Sequence, residues 1–163
     1  MCNKKLFPIS KLLSEGSFME DISNIQKYEN YKAQNGRLNR ALREHFYLEA
    51  LFIEYAIIED RCESILTHAG VFRADKHNTI TKKLRRLEWL TQRDKLAGKY
   101  FSKELIDSIF EWKEKRNKFI HTLMKQVFTG EELGEIVMQG QTIAKTLSSK
   151  STSYRRALDR QNR

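Results

Sequence analysis

Arg116, Asn117 and His121 stand in the run Glu111-Trp112-Lys113-Glu114-Lys115-Arg116-Asn117-Lys118-Phe119-Ile120-His121, a combination able to act on a phosphodiester. An imidazole exchanges protons near neutral pH, and a guanidinium stays charged while its planar fork binds phosphate oxygens in pairs. Asparagine can orient the histidine or the substrate. In a helix, positions 117 and 121 differ by about 40° around the axis, so Asn117 and His121 share a face one turn apart. Arg116 lies about 140° from His121 and reaches it only by curling its stem around the helix. One helix therefore does not complete a site, whereas two copies meeting across a two-fold axis would bring both patches together. If such a site served a ribonuclease, a 2′-hydroxyl would attack the adjacent phosphorus, His121 would act as general acid or base, and Arg116 would stabilise charge on the phosphoryl oxygens. That scheme needs no metal and no other cofactor.

The order Arg116-Asn117, three residues, His121 resembles the Arg-x4-6-His signature of the HEPN superfamily, in which a polar residue commonly follows the arginine. The upstream segment Glu54-Tyr55-Ala56-Ile57-Ile58-Glu59-Asp60-Arg61 is similar to an acidic segment that, in bacterial HEPN proteins, packs beside the motif helix from a preceding long helix. The resemblance covers about residues 37–147 and is specific only in those two segments. It implies a helical bundle that forms a homodimer, with Arg116 and His121 of both copies lining one cleft and Asn117 beside them. It further implies an endoribonuclease of a toxin-antitoxin, abortive-infection or related antiphage defence system, restrained by an antitoxin protein or an inhibitory small RNA. Two other classes stay open: a non-catalytic RNA-binding module, and a helical interaction or antitoxin subunit.

The chain around these residues reads as all-α, an up-down bundle of four to five helices. It has 163 residues, one proline and seven glycines, which leaves room for long uninterrupted helices. A weak helix is expected over residues 18–34, then a long central one over 37–69 ended by Gly70. A third is expected over 78–93, with Ile80, Leu84, Leu87, Trp89 and Leu90 as its apolar set. Ser102 reads as the N-cap of the motif helix, expected to reach about Val127 with Phe119, Ile120, Leu123 and Met124 anchored in a core. Thr129 or Gly130, with Glu131 and Glu132, opens a last helix to Leu147. The expected organisation is an arm over 1–36, the bundle over 37–147, and a mobile basic tail over 148–163.

Among the acidic residues of the central helix, Glu54, Glu59 or Asp60 is expected to pair with Arg116 or His121, with Arg61 competing for them. They lack the Glu-x-x-His pairing of a di-iron bundle, so no metal site is expected. Cys2 and Cys62 have no metal-ligand spacing, and burial is expected for Cys62. His45, Tyr47 and Tyr55 are within reach of a cleft, though a core or surface role is expected for each; His68 is expected at a helix end, and His77 lies in a loop. Thirty Lys and Arg against 21 Asp and Glu give a net charge of +9, which favours RNA or another polyanion. The positive charge concentrates at Lys82, Lys83, Arg85 and Arg86 and again at Arg155 and Arg156, the candidate RNA contacts. Without an apolar span or a secretory leader, the expected place is the cytoplasm, with no membrane partner.

Overall fold

A computed structural model describes residues 24–161. They form six helices: α1 (Asn24–Arg43), α2 (Tyr47–His68), α3 (Ile80–Arg93), α4 (Lys95–Tyr100), α5 (Lys103–Thr122) and α6 (Gly130–Gln161). No strand occurs among the described residues. Expectations for residues 1–23, including Cys2 and the start of the weak first helix, lie outside the described residues. The chain divides into the units Met1–Gly36 and Arg37–Arg163, a division that falls inside α1.

Side-chain caps set most helix starts. Thr79 accepts from the Lys82 amide at 3.4 Å to open α3, and Ser102 accepts from the Leu105 amide at 3.4 Å to open α5, as its position predicts. Asp94 closes α3 and opens α4, accepting from the amides of Leu96 at 2.7 Å and Ala97 at 3.1 Å. The sequence reading leaves α4 within a loop. At α6, Thr129 and Glu132 form a reciprocal capping box: Glu132 N donates to Thr129 Oγ1 at 3.1 Å, and Thr129 N donates to Glu132 Oε2 at 2.9 Å.

Three expected boundaries change. The helix expected over 37–69 is two helices, broken after Arg43, where His45 takes a left-handed φ of 58°. Phe46 N donates to Ala41 O at 2.8 Å, the closing bond of a Schellman end. Gly70 ends α2 the same way with a φ of 68°, Val71 N donating to Leu66 O at 2.9 Å. The motif helix stops at Thr122 rather than near Val127, because the residues beyond have no buried face: Met124 is 95% exposed and Val127 94%. Leu123 and Met124 therefore do not anchor it; Phe119 does, with Phe128 folding back edge-on against its ring. Finally, α6 runs on through residues 148–161, where a mobile tail was expected. Buried Leu147, Ser151 and Tyr154 continue one stripe, and Tyr154 meets the rings of Tyr100 and Phe101 edge-on, which holds this end in place.

Within the unit Arg37–Arg163, α2 packs along α6 and α3, α5 packs on α6 and α3, and α4 wedges between α3 and α6. The middle of α2 is buried on a wide arc, Leu51, Ile53, Ile57, Ile58, Cys62, Ile65 and Leu66, as a central helix requires. Burial pushes the Cys62 thiol up to about 12, so it behaves as a small apolar residue. No described helix is long and apolar enough to cross a membrane.

Candidate functional site

The last two turns of α5 carry Arg116, Asn117 and His121. Arg116 follows the buried Ile109 and Trp112 at helical spacing, so its stem starts half-buried and leads outward along the flank of the helix. Its guanidinium carbon then lies 4.4 Å from the Tyr55 ring centre and 5.4 Å from that of Phe52, both on α2. Nη1 donates to Asn117 Oδ1 at 3.2 Å, and Nε is buried without a partner. Two aromatic faces and one amide thus fix the fork, which leaves Nη2 and the remaining Nη1 proton uncommitted. Burial raises the Tyr55 phenol above its ordinary value, Glu59 adds to this, and the charges of Arg116 and Lys83 oppose it. His121 stands one turn beyond Asn117, exposed and with no hydrogen-bond partner among the described residues.

The expected acidic partner is not there. Both carboxylate oxygens of Glu54 are buried and unpaired, Glu59 accepts from Lys83 at 3.1 Å, and Asp60 accepts from Arg61 at 2.7 Å. None of the three pairs with Arg116 or His121. The reason is their place on α2: Glu54 points inward at the junction of α2, α5 and α6, where a Cβ on Gly140 would run into its carboxylate and into the Trp112 indole. Desolvation there raises the Glu54 carboxyl to about 9, so it is neutral at physiological pH. Glu59 and Glu63 face α3 and hold the Lys83 ammonium between them, at 3.1 and 2.7 Å. Among the described residues no three of His, Cys, Asp and Glu gather as metal ligands.

In comparisons with protein-family models, curated proteins and solved structures, nothing matches this chain.

Of the candidate RNA contacts, Arg85, Arg155 and Arg156 are exposed and Lys82 projects from α3, donating only to the neutral Asn78 Oδ1 at 3.0 Å. Arg86 is half-buried against Trp89. Lys83 is the exception: only 6% exposed and bound to two carboxylates, it is a core ion pair and is not free to meet RNA. Its spacing gives the signal, since around the helix position 83 falls between Leu87 and Leu90 on the buried stripe of α3.

The sequence reading also missed Phe52 as part of the site. It is 57% exposed, yet stands three residues before Tyr55 on the same helical face, which is the spacing that lets one arginine lie over both rings. A groove of about 450 Å³ opens beside this end of α5, lined by His45, Phe46, Tyr47, Leu48, Leu123 and Leu133 among others. His45 Nδ1 and the Tyr47 hydroxyl share a hydrogen bond of 2.9 Å at its rim. A second groove of about 270 Å³ lies between α5 and α6, with Lys115 and Lys118 facing Glu132 and Glu135.

Proposed function

We propose that the chain is a metal-independent endoribonuclease of HEPN type, acting as a homodimer in a toxin-antitoxin, abortive-infection or related antiphage defence system. The observation that carries the reading is the arginine fork held on Tyr55 and Phe52 with donors to spare, on the same helix as a histidine five residues on that is exposed to solvent. A fork fixed before substrate arrives stabilises developing phosphoryl charge without reorganising, and an exposed imidazole can reach a bound strand. The 2′-oxygen bonds to phosphorus as the 5′-oxygen leaves, one imidazole taking the 2′-proton and another supplying a proton to the departing oxygen. Two copies furnish two such imidazoles. Exposed Phe46, Leu48, Phe52 and Leu123 beside this end of α5 offer the apolar surface that a second copy would cover.

One observation favours a second reading. No described group orients His121, so Arg116 could hold phosphate without cleavage, as in an RNA-binding module. The deciding experiment incubates purified protein with RNA in EDTA, beside His121→Ala, and analyses the product ends. Cleavage by the parent alone, leaving 2′,3′-cyclic phosphate and 5′-hydroxyl ends, is expected. RNA bound but intact at every enzyme concentration moves the assignment to the binding module.

A further inference from the structure

The outer face of α3 carries a second feature, apart from the α5 site. Lys82, Arg86, Trp89 and Arg93 fall within an arc of about 60° and extend about 16 Å along the helix, with Arg85 at the border. The Arg86 guanidinium carbon lies 3.7 Å from the Trp89 ring centre and that of Arg93 lies 4.9 Å from it. Stacking uses the flat faces of the guanidinium groups and leaves their Nη donors at the edges, while the Arg86 Nε is buried without a partner. No described carboxylate pairs with Lys82, Arg85, Arg86 or Arg93, and the only acid in α3 is Glu88. The contrast with Lys83 and Lys113 is sharp, since those buried cations are each matched to a carboxylate, Lys83 to Glu59 and Glu63 and Lys113 to Glu114. A helix that neutralises its one inward lysine and leaves its outward cations without carboxylate partners, in a chain of net charge +9, complements a polyanion.

We infer that this face binds single-stranded RNA, Arg86 and Arg93 donating to backbone phosphates and an unpaired base stacking on the Trp89 indole in place of the more distant Arg93 guanidinium. A duplex keeps its bases stacked inside and could use only the charges, whereas an unpaired strand uses both charge and ring. Arg155 and Arg156, both exposed, follow the Tyr154 that seats on Tyr100 and Phe101. This inference goes beyond cleavage, because binding on α3 requires nothing from His121.

The chain has two tryptophans, and Trp112 is fully buried with its indole N–H donated to Ile136 O at 3.0 Å, so Trp89 is the reporter. The full chain carrying His121→Ala, which keeps the probe whole, is titrated with a labelled oligouridylate of about 12 nucleotides and with a duplex of the same length. Anisotropy reads affinity and tryptophan emission reads contact. Tighter binding of the single strand with quenched emission is expected. Trp89→Ala should weaken binding about tenfold, while Trp89→Phe, which keeps a stacking face, stays within about threefold. Arg86→Gln with Arg93→Gln should lower the slope of log affinity against log salt by about 1.4. Equal affinity for the duplex, or unchanged affinity in a Trp89→Ala protein with native circular dichroism, overturns the inference. Polyglutamate binding as tightly as RNA also overturns it and gives the face to an acidic protein. Intact binding here beside a parent that never cuts RNA would sink the nuclease reading and leave this one standing.

Discussion

The middle of α5 and its C-terminal end handle polar groups in opposite ways. At the middle, Trp112 and Lys113 are sealed: the indole N–H meets Ile136 O, and the ammonium meets Thr81 Oγ1 at 3.0 Å and Glu114. Glu54 is enclosed in the same region and is neutral for want of a partner. Three residues further on, Arg116 keeps its charge, lies on ring faces and retains free donors, and His121 is open to solvent. Burial with hydrogen bonds fixes the fold, and exposure with an unfinished donor set leaves chemistry to do. Glu54, one of the three carboxylates expected to pair with the motif, is instead enclosed on the buried side, where it has no hydrogen-bond partner.

The strongest way to break that contrast is at Arg116. Arg116→Ala should lower RNA cleavage about 10²- to 10³-fold, the cost of removing one preorganised donor to a developing anion. Arg116→Lys should recover little, because an ammonium neither stacks on Tyr55 and Phe52 as a plane nor offers a fork. Full activity in the lysine variant would show that only net charge is needed at this end, and the geometric distinction would fall.

Glu54 tests the sealed side. The folded carboxyl keeps its proton to about pH 9, against an ordinary value of 4.5, so unfolding between those values releases a proton. Its contribution to stability is complete below pH 4.5 and is lost as pH rises toward 9, by up to about 1.4 kcal/mol per pH unit. The lowered carboxyls of Asp75, Glu104 and Glu132 are all exposed and act in the opposite sense at acid pH, outside this window. Urea midpoints between about pH 5 and 8 should fall in the parent and lose that fall in Glu54→Gln, where the burial-lowered His77 ring leaves a small rise with pH instead. Equal slopes in both proteins would mean that Glu54 reaches water or a partner.

Gly140 sharpens the same point at smaller amplitude. A methyl group there meets both Glu54 and Trp112, so Gly140→Ala should cost about 1–3 kcal/mol in urea unfolding despite alanine's helix preference. Gly134→Ala, on the same helix with the Tyr47 hydroxyl 3.6 Å from the added Cβ, is the matched control and should be neutral or gain up to about 1 kcal/mol. Equal effects at both would indicate a looser junction than the one described.

The bundle was legible in the sequence because it is written in spacing. Gly70, Ser102 and the Thr129–Glu132 box mark helix ends by residue type, and all three do so in the structure. The stripe of α3 separates Lys83 from Lys82 and Arg86 for a reader who lets period outrank charge. The same period, carried past Leu147 through Ser151 and Tyr154 with no glycine or proline to stop it, announces the full length of α6 beneath a run of serines. What spacing could not give is partner choice. Glu54, Glu59 and Asp60 share one short segment of α2, yet face an apolar junction, a lysine on α3 and the neighbouring Arg61, and only the packing of α2 against α3 and α6 decides which. The break at His45 was hidden for another reason, since no glycine marks it.

That break supplies the smallest test, and it bears on the open end because His45 rims the groove beside α5. Gly70 and His45 occupy the same left-handed position of the same type of helix end. An L-residue there costs about 1–2 kcal/mol relative to glycine, so Gly70→Ala should destabilise by about 1 kcal/mol. His45→Gly relieves the same penalty but adds backbone freedom to the unfolded chain, and it removes the exposed hydrogen bond to Tyr47. These terms nearly cancel, and the unfolding free energy from urea titration should shift by less than about 0.5 kcal/mol. A gain well above that value would show strain held at the rim, since a histidine kept there at real cost is explained by what the groove binds rather than by the fold.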